Sequence, residues 1–311
     1  MSVLPTTLVL LLSTFLVAQP TSAPQSTSTA RTLKRPDLEL HYKDYGQGDP
    51  VLVITGGPGF SAQLMEPVAE MIAKKARAIL PDPRGAGRSM TKTDEAITLE
   101  GTLLDFEALR QTLGLKQWTV LGCSWGGMLA LEYAAKFPNS LNALILLDSG
   151  GPSWASFGRP FSDNITSRMT PDDRASRKYW SQKDVAAKDP QRATVEVLRA
   201  MLPAYFYDRT KSLPLIAGLK EGKEHYNPGA ERLDEEFDKG EAERIEKLKQ
   251  LKLRTLIIHG RQDPIPESVA LSNQALLKGS QIVWLERCGH LPWFEQPEAL
   301  EKALTNFLFP K

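Results

Sequence analysis

Gly122-Cys123-Ser124-Trp125-Gly126-Gly127 places a G-x-S-x-G pattern between an apolar run, 118–122, and an apolar-faced helical stretch, 125–137. A strand that turns sharply into a helix strains the serine backbone and presents the hydroxyl at the sheet edge. Residues 122 and 126 must then be small, because a β-carbon there would collide with the adjoining strand and helix. A serine hydroxyl becomes a useful nucleophile only when a base removes its proton. The chain has four histidines. His41 lies in the first strand run, His225 in a charged segment, and His259 inside a late strand. His290 sits in the loop Arg287-Cys288-Gly289-His290, directly after the last strand, and is the expected base. His259 reads instead as a core or strand-end residue.

An imidazole acting as base needs a carboxylate behind it to fix its tautomer. Asp263, in His259-Gly260-Arg261-Gln262-Asp263-Pro264, falls between a strand and a helix and is the first candidate. Asp148 ends the strand after the nucleophile helix and is the second; its other reading is a capping carboxylate. A tetrahedral intermediate also requires two backbone donors for its oxyanion. The N–H of Trp125 is one. The other is expected from Thr55-Gly56-Gly57-Pro58-Gly59, where Gly57 is the better placed and where the glycines also serve as a turn.

These residues need a sheet to hold them. Short apolar runs at 38–45, 51–55, 78–81, 118–122 and 141–148 alternate with helical stretches, as do 255–260 and 282–286. Helix 96–113 carries Leu99, Leu103, Phe106, Leu109 and Leu113 on one face. The alternation implies an α/β fold, a mostly parallel sheet covered on both faces. Between 151 and 250 the composition changes: 35 of these 100 residues are charged, against about 19% elsewhere, and the segment holds 10 of the 24 aromatics. A wet exterior with an aromatic underside suits a mainly helical cap over a cleft. The runs of charge in 231–249 read as solvated helix faces.

The 311 residues carry 38 Lys+Arg and 37 Asp+Glu, a net charge of +1. Nothing in that balance draws the chain to nucleic acid or an anionic surface. Two cysteines, Cys123 and Cys288, exclude a disulfide framework and a multi-cysteine metal site, and both read as free thiols. No metal or cofactor is expected. The first 30 residues are uncharged, and the apolar run Leu8 to Ala18 is too short to span a bilayer. With Thr21-Ser22-Ala23 it reads as a signal peptide over residues 1–23, so the expectation is a secreted or periplasmic protein. The alternatives are an uncleaved anchor or a cytoplasmic protein. Residues 24–37, rich in Ser, Thr and Pro, are expected to be a disordered lead-in. The core is then 38–150 with 251–311, and the cap 151–250.

With these residues in place, the chain resembles the α/β-hydrolase superfamily over about residues 38–308, including a cap inserted after the sixth strand. Within it, Gly56-Gly57-Pro58-Gly59, Asp82-Pro83-Arg84-Gly85-Ala86-Gly87-Arg88-Ser89 and Gly122-Cys123-Ser124-Trp125-Gly126-Gly127 resemble prolyl aminopeptidase (proline iminopeptidase) motifs. The resemblance implies a cofactor-free serine exopeptidase that removes N-terminal proline or another small residue. Thr55 and Pro83 depart from the family's histidine and glutamine. Some family members follow the catalytic aspartate with a glutamate that holds the substrate amine; this chain has Pro264. Glu221 and Glu224, near Lys223-Glu224-His225-Tyr226-Asn227, are the remaining candidates to bind that amine. Three readings follow: an iminopeptidase-like hydrolase; an esterase, lactonase or amidase acting on small acyl substrates without a free amine; and a non-catalytic small-molecule receptor. An intact Ser, Asp and His in order argues against the third.

Overall fold

Strand Trp118–Cys123 is buried along its whole length, as a strand covered on both faces must be. The structure, a computed structural model, describes residues 28–222 and 224–310. Its sheet contains β1 (Ser28–Lys34), β2 (Glu39–Gly46), β3 (Pro50–Ile54), β4 (Arg77–Pro81), β5 (Trp118–Cys123), β6 (Leu141–Leu147), β7 (Arg254–Gly260) and β8 (Gln281–Leu285). The spatial order is β1-β2-β4-β3-β5-β6-β7-β8. β1 and β2 run antiparallel to their neighbours, and every pairing from β4 to β8 is parallel.

Alternation along the strands divides the interior in two. On one face Leu52, Ile54, Val120, Leu144 and Leu146 pack with helices Leu99–Thr112, Trp125–Lys136 and Glu267–Leu276. On the other, Val51, Val53, Leu121, Ile145 and Leu147 meet helices Glu66–Ala73 and Pro297–Leu308. The chain between β6 and β7 is largely helical, including Gly158–Arg168, Pro171–Trp180, Pro190–Met201, Leu233–Asp238 and Glu241–Gln250. Its charged run is amphipathic: Phe237 and Leu248 are fully buried among the core residues. Among the described residues, no helix is long and apolar enough to cross a membrane.

The expected lead-in needs correction. Residues 28–34 are not disordered but form β1, paired in register from Ser28↔Tyr45 to Lys34↔Glu39. All its side chains are exposed except the half-buried Leu33, so no hydrophobic alternation marks it. The backbone ladder holds it, and Arg31 and Lys34 keep this edge charged against further pairing. The expected signal peptide, 1–23, and residues 24–27 lie outside the described residues.

The motif Asp82 to Ser89 proves to be a brace. Asp82 Oδ1 accepts the Ala62 N–H at 2.8 Å and Oδ2 accepts the Arg88 N–H at 3.0 Å, tying the strand end to the glycine loop's exit. Arg84 Nε and Nη2 each donate to Asp105 at 2.9 Å, and Arg35 Nε donates to it at 2.7 Å. Asp105 is completely buried and Arg84 nearly so. Asp37 also accepts from Arg84 Nη1 and, at 3.2 Å, from Nη2, so loss of Asp105 leaves the guanidinium partly satisfied. Asp105→Ala should therefore cost about 1–3 kcal/mol in denaturant unfolding. A loss below about 1 kcal/mol, the scale of an exposed ion pair, would contradict this.

Candidate active site

β5 delivers Ser124 into the turn before helix Trp125–Lys136 with φ 55° and ψ −122°. A non-glycine residue holds such angles only where its surroundings enforce them. Here the Ser124 N–H donates to the Leu147 carbonyl at 3.0 Å, and its own carbonyl accepts from Gly127 at 2.9 Å and Gly150 at 3.1 Å. The flanking glycines leave no choice. A β-carbon at 122 would come 2.2 Å from the Gly126 carbonyl oxygen, and one at 126 would come 2.3 Å from that of Thr55. Helix packing against β5 and β3 is thus close enough to aim the hydroxyl out of the sheet edge.

The structure brings Asp263 and His290 together. His290 Nδ1 lies 3.0 Å and 2.8 Å from the two Asp263 carboxylate oxygens, and Asp263 Oδ1 also accepts the Ile265 N–H at 2.7 Å. An ionised carboxylate can only accept, so Nδ1 carries the proton and Nε2 keeps the lone pair that a base requires. Both side chains are buried. Burial pushes the Asp263 carboxyl up to about 7 and holds the His290 imidazole down at about 4.

The residues between β6 and β7 hold the histidine from outside. The Tyr205 carbonyl accepts the His290 backbone N–H at 2.7 Å, and the Tyr205 ring lies 5.4 Å from the imidazole, centroid to centroid. Glu295 accepts N–H bonds from Gly289 at 2.7 Å, Asp208 at 2.8 Å and Tyr207 at 3.2 Å, fastening the histidine loop to the cap. Neither Tyr205 nor Glu295 was singled out for this in the sequence; the aromatic enrichment of the cap hinted at the first, and no local pattern signals the second. Trp125 is fixed similarly: its indole Nε1–H donates to Asp234 at 3.2 Å and its ring meets Phe237 edge-on.

A cavity of about 360 Å³ opens on Ser124 and His290. Gly56, Gly57 and Trp125 line it beside the serine. Trp125 begins its helix, so its N–H has no partner inside that helix. Gly57 has φ 154°, and a β-carbon there would approach the Gly59 nitrogen to 2.9 Å. The cap contributes apolar walls, among them Phe161, Leu198, Met201, Tyr205, Leu215 and Leu219. Of the aromatics concentrated in the cap, Tyr179 and Tyr207 are instead exposed.

Glu221 and Glu224 do not join this site. Both are exposed, neither lines the cavity, and the Glu224 carboxylate lies 3.8 Å from His225 Nε2. The turn at Gly222, with φ 121°, lies between them. Among the described residues, no aspartate or glutamate lines the cavity at all. The basic side chains Lys220 and His225 line it instead. His259 sits in the core, fully buried, with Nε2 3.1 Å from the Ile265 carbonyl oxygen.

Residues 49–297 match the alpha/beta hydrolase fold family. The chain is 28% identical over 288 residues to a proline iminopeptidase of Lactobacillus helveticus, covering 87% of this chain and 94% of that protein. It is 24% identical over 282 residues to a 2-hydroxy-6-oxo-2,4-heptadienoate hydrolase of Pseudomonas putida, covering 87% and 93%. A solved meta-cleavage product hydrolase from Pseudomonas fluorescens superimposes with a TM-score of 0.67 at 23% identity, covering 89% of this chain and 97% of that one.

The tight turn yields its own test. Gly122→Ala must push strand or helix apart, so it should lower unfolding stability by about 1–3 kcal/mol and hydrolytic turnover about a hundredfold through misplacement of the hydroxyl. A variant with parental stability and turnover would show that the close approach at Gly126 is not required.

Proposed function

The chain belongs to the alpha/beta hydrolase fold family, and from that premise we propose that it is a serine hydrolase of small, largely apolar acyl substrates without a free amine. Carboxylic esters, lactones and simple amides form that class. The observation that carries the reading is the cavity itself, which opens on Ser124 and His290, is walled by apolar cap residues, and includes no carboxylate among the described residues.

In this mechanism Ser124 Oγ attacks the acyl carbon while His290 Nε2 takes its proton. The Gly57 and Trp125 amides hold the oxyanion of the tetrahedral intermediate. His290 then delivers the proton to the leaving group, and an acyl-enzyme remains on Ser124. Water attacks it by the reverse relay, again with His290 as base. Asp263 keeps Nδ1 protonated throughout, so Nε2 stays available. No cofactor enters these steps.

A second reading, removal of N-terminal proline or a small residue, is supported by the Gly56-Gly57-Pro58-Gly59 motif and by the similarity to the Lactobacillus enzyme. Against it stand the exposure of Glu221 and Glu224 and the proline at position 264. A substrate ammonium in this cavity would lack a counter-charge.

Short p-nitrophenyl esters set against prolyl- and alanyl-naphthylamides separate the two. Ester turnover should exceed free-amine amide turnover, and Ser124→Ala should reduce it about a thousandfold or more. Preference for the prolyl amide would select the exopeptidase, and activity surviving in Ser124→Ala would remove the nucleophile. The pH profile tests the base. The competent form pairs ionised Asp263 with neutral His290. Because burial raises the carboxyl to about 7, the pair takes its first proton near there and its second near 4. The competent form is thus present above the first step and is lost as the pH falls through it. kcat/KM should be half-maximal near pH 7 and plateau above about pH 8; a profile flat down to pH 5 would contradict the assignment.

A further inference from the structure

Behind the Asp263–His290 pair lies a second set of buried polar groups that the mechanism above leaves unused. Asp148 follows β6 with φ 44° and is completely buried. Its N–H donates to the Ile258 carbonyl at 2.8 Å, and its Oδ1 accepts the Gly260 N–H at 2.7 Å. Among the described residues its Oδ2 has no hydrogen-bond donor, and neither has the equally buried His259 Nδ1 a partner, 3.7 Å from Asp148 Oδ1. Carboxylate oxygens of Asp148 and Asp263 and a ring nitrogen of His259 all lie within 4.8 Å of one another. Orphaned buried polar atoms are rare enough to require an explanation.

Protonation states supply it. His259 Nε2 faces the Ile265 carbonyl, which can only accept, so Nε2 carries the proton and Nδ1 turns a lone pair toward Asp148. Burial holds His259 down at about 4, so its ring is neutral. Two buried carboxylates this close do not both ionise. Asp263 has the stronger claim to the charge, because it accepts from Ile265 N–H and His290 Nδ1–H, whereas Asp148 accepts from Gly260 alone. The proton therefore belongs on Asp148, where Oδ2–H satisfies the orphaned atom.

We propose that Asp148 is a positioning residue, a neutral carboxylic acid whose Oδ2–H donates to the Asp263 carboxylate and keeps it ionised and aimed at His290. This rests on the reading of Asp263 and His290 as acid and base. Burial among these groups also drives the Asp148 carboxyl well above the usual carboxylate range. The charged and titratable groups acting on the cluster are His259 on β7, Arg261 just after it, His290 and Cys288 on the histidine loop, Arg168 on helix Gly158–Arg168, Tyr205, Glu295 and Cys123. Arg168 also donates to the backbone carbonyls of Gln262 and, at 3.2 Å, Asp263, so this loop is held from the cap side as well.

Two substitutions and one spectrum test the assignment. Asp148→Leu removes the donor, so the acid limb of kcat/KM should move up by about one to two pH units, with a loss of about five- to fiftyfold at pH 7 that recovers at higher pH. Asp148→Asn keeps an uncharged donor toward Asp263 and an acceptor for Gly260, and should restore the limb. Infrared spectra need no turnover, so they are compared in a Ser124→Ala background with and without Asp148→Asn. At pH 8 the protein retaining Asp148 should show a protonated-carboxyl C=O stretch that the Asp148→Asn protein lacks. Absence of that band, or a limb that moves down in Asp148→Asn because a repelling charge has gone, would overturn the proposal. Equal stability losses in both variants with an unmoved limb would overturn it too, by reducing Asp148 to a structural role. The infrared result stands even if the substrate assignment fails, so the two readings fail separately.

Discussion

Ser124 keeps a backbone conformation that costs roughly 1–3 kcal/mol, and the contacts around it serve to hold it there. β5 and its following helix approach so closely that Gly122 and Gly126 nearly touch backbone atoms across the turn. That approach is possible because β5 lies at the centre of the sheet, hydrogen-bonded to β3 on one side and β6 on the other. Both faces of the sheet are covered by helices, so strand and helix cannot relax outward without opening a core. A single local strain is thereby spread over much of the fold, and the hydroxyl's direction follows from it.

The second layer of organisation is the cap's hold on the loops around that serine. Tyr205 binds the His290 loop directly, Tyr207 and Asp208 reach it through Glu295, Asp234 and Phe237 bind Trp125, and Arg168 binds the Asp263 loop. The segment that shapes the cavity is therefore the same segment that steadies the groups expected to do chemistry. Changes in the cap will alter turnover as well as substrate choice, since these contacts are made by backbone and side chains together.

Ser124, Asp263 and His290 stand out in the sequence because each lies beside a strand end whose apolar run is itself legible, and the structure sets Asp263 against His290 and places His290 with Ser124 on one cavity. The G-x-S-x-G glycines carry a steric requirement, visible in the distances of 2.2 and 2.3 Å that a β-carbon would meet. The edge strand Ser28–Lys34 escaped notice because a backbone-held strand with exposed side chains leaves no hydrophobic period to read. Glu221 and Glu224, candidates from their place in the chain, are exposed and lie outside the cavity, which local sequence does not reveal. Asp148 was visible as a carboxylate at a strand end, but its partnership with Asp263 arises only when β6 and β7 lie side by side. Packing, not local pattern, creates that pair.

The serine mechanism requires a covalent bond to one atom, Ser124 Oγ. Brief exposure to a small alkyl fluorophosphonate, followed by intact-mass and peptide mapping, measures it without assuming a natural substrate. The expected result is a single adduct on Ser124, with slower labelling when Asp263 is replaced by asparagine. Labelling at another residue, or an unmodified Ser124 in folded protein, would contradict the serine mechanism.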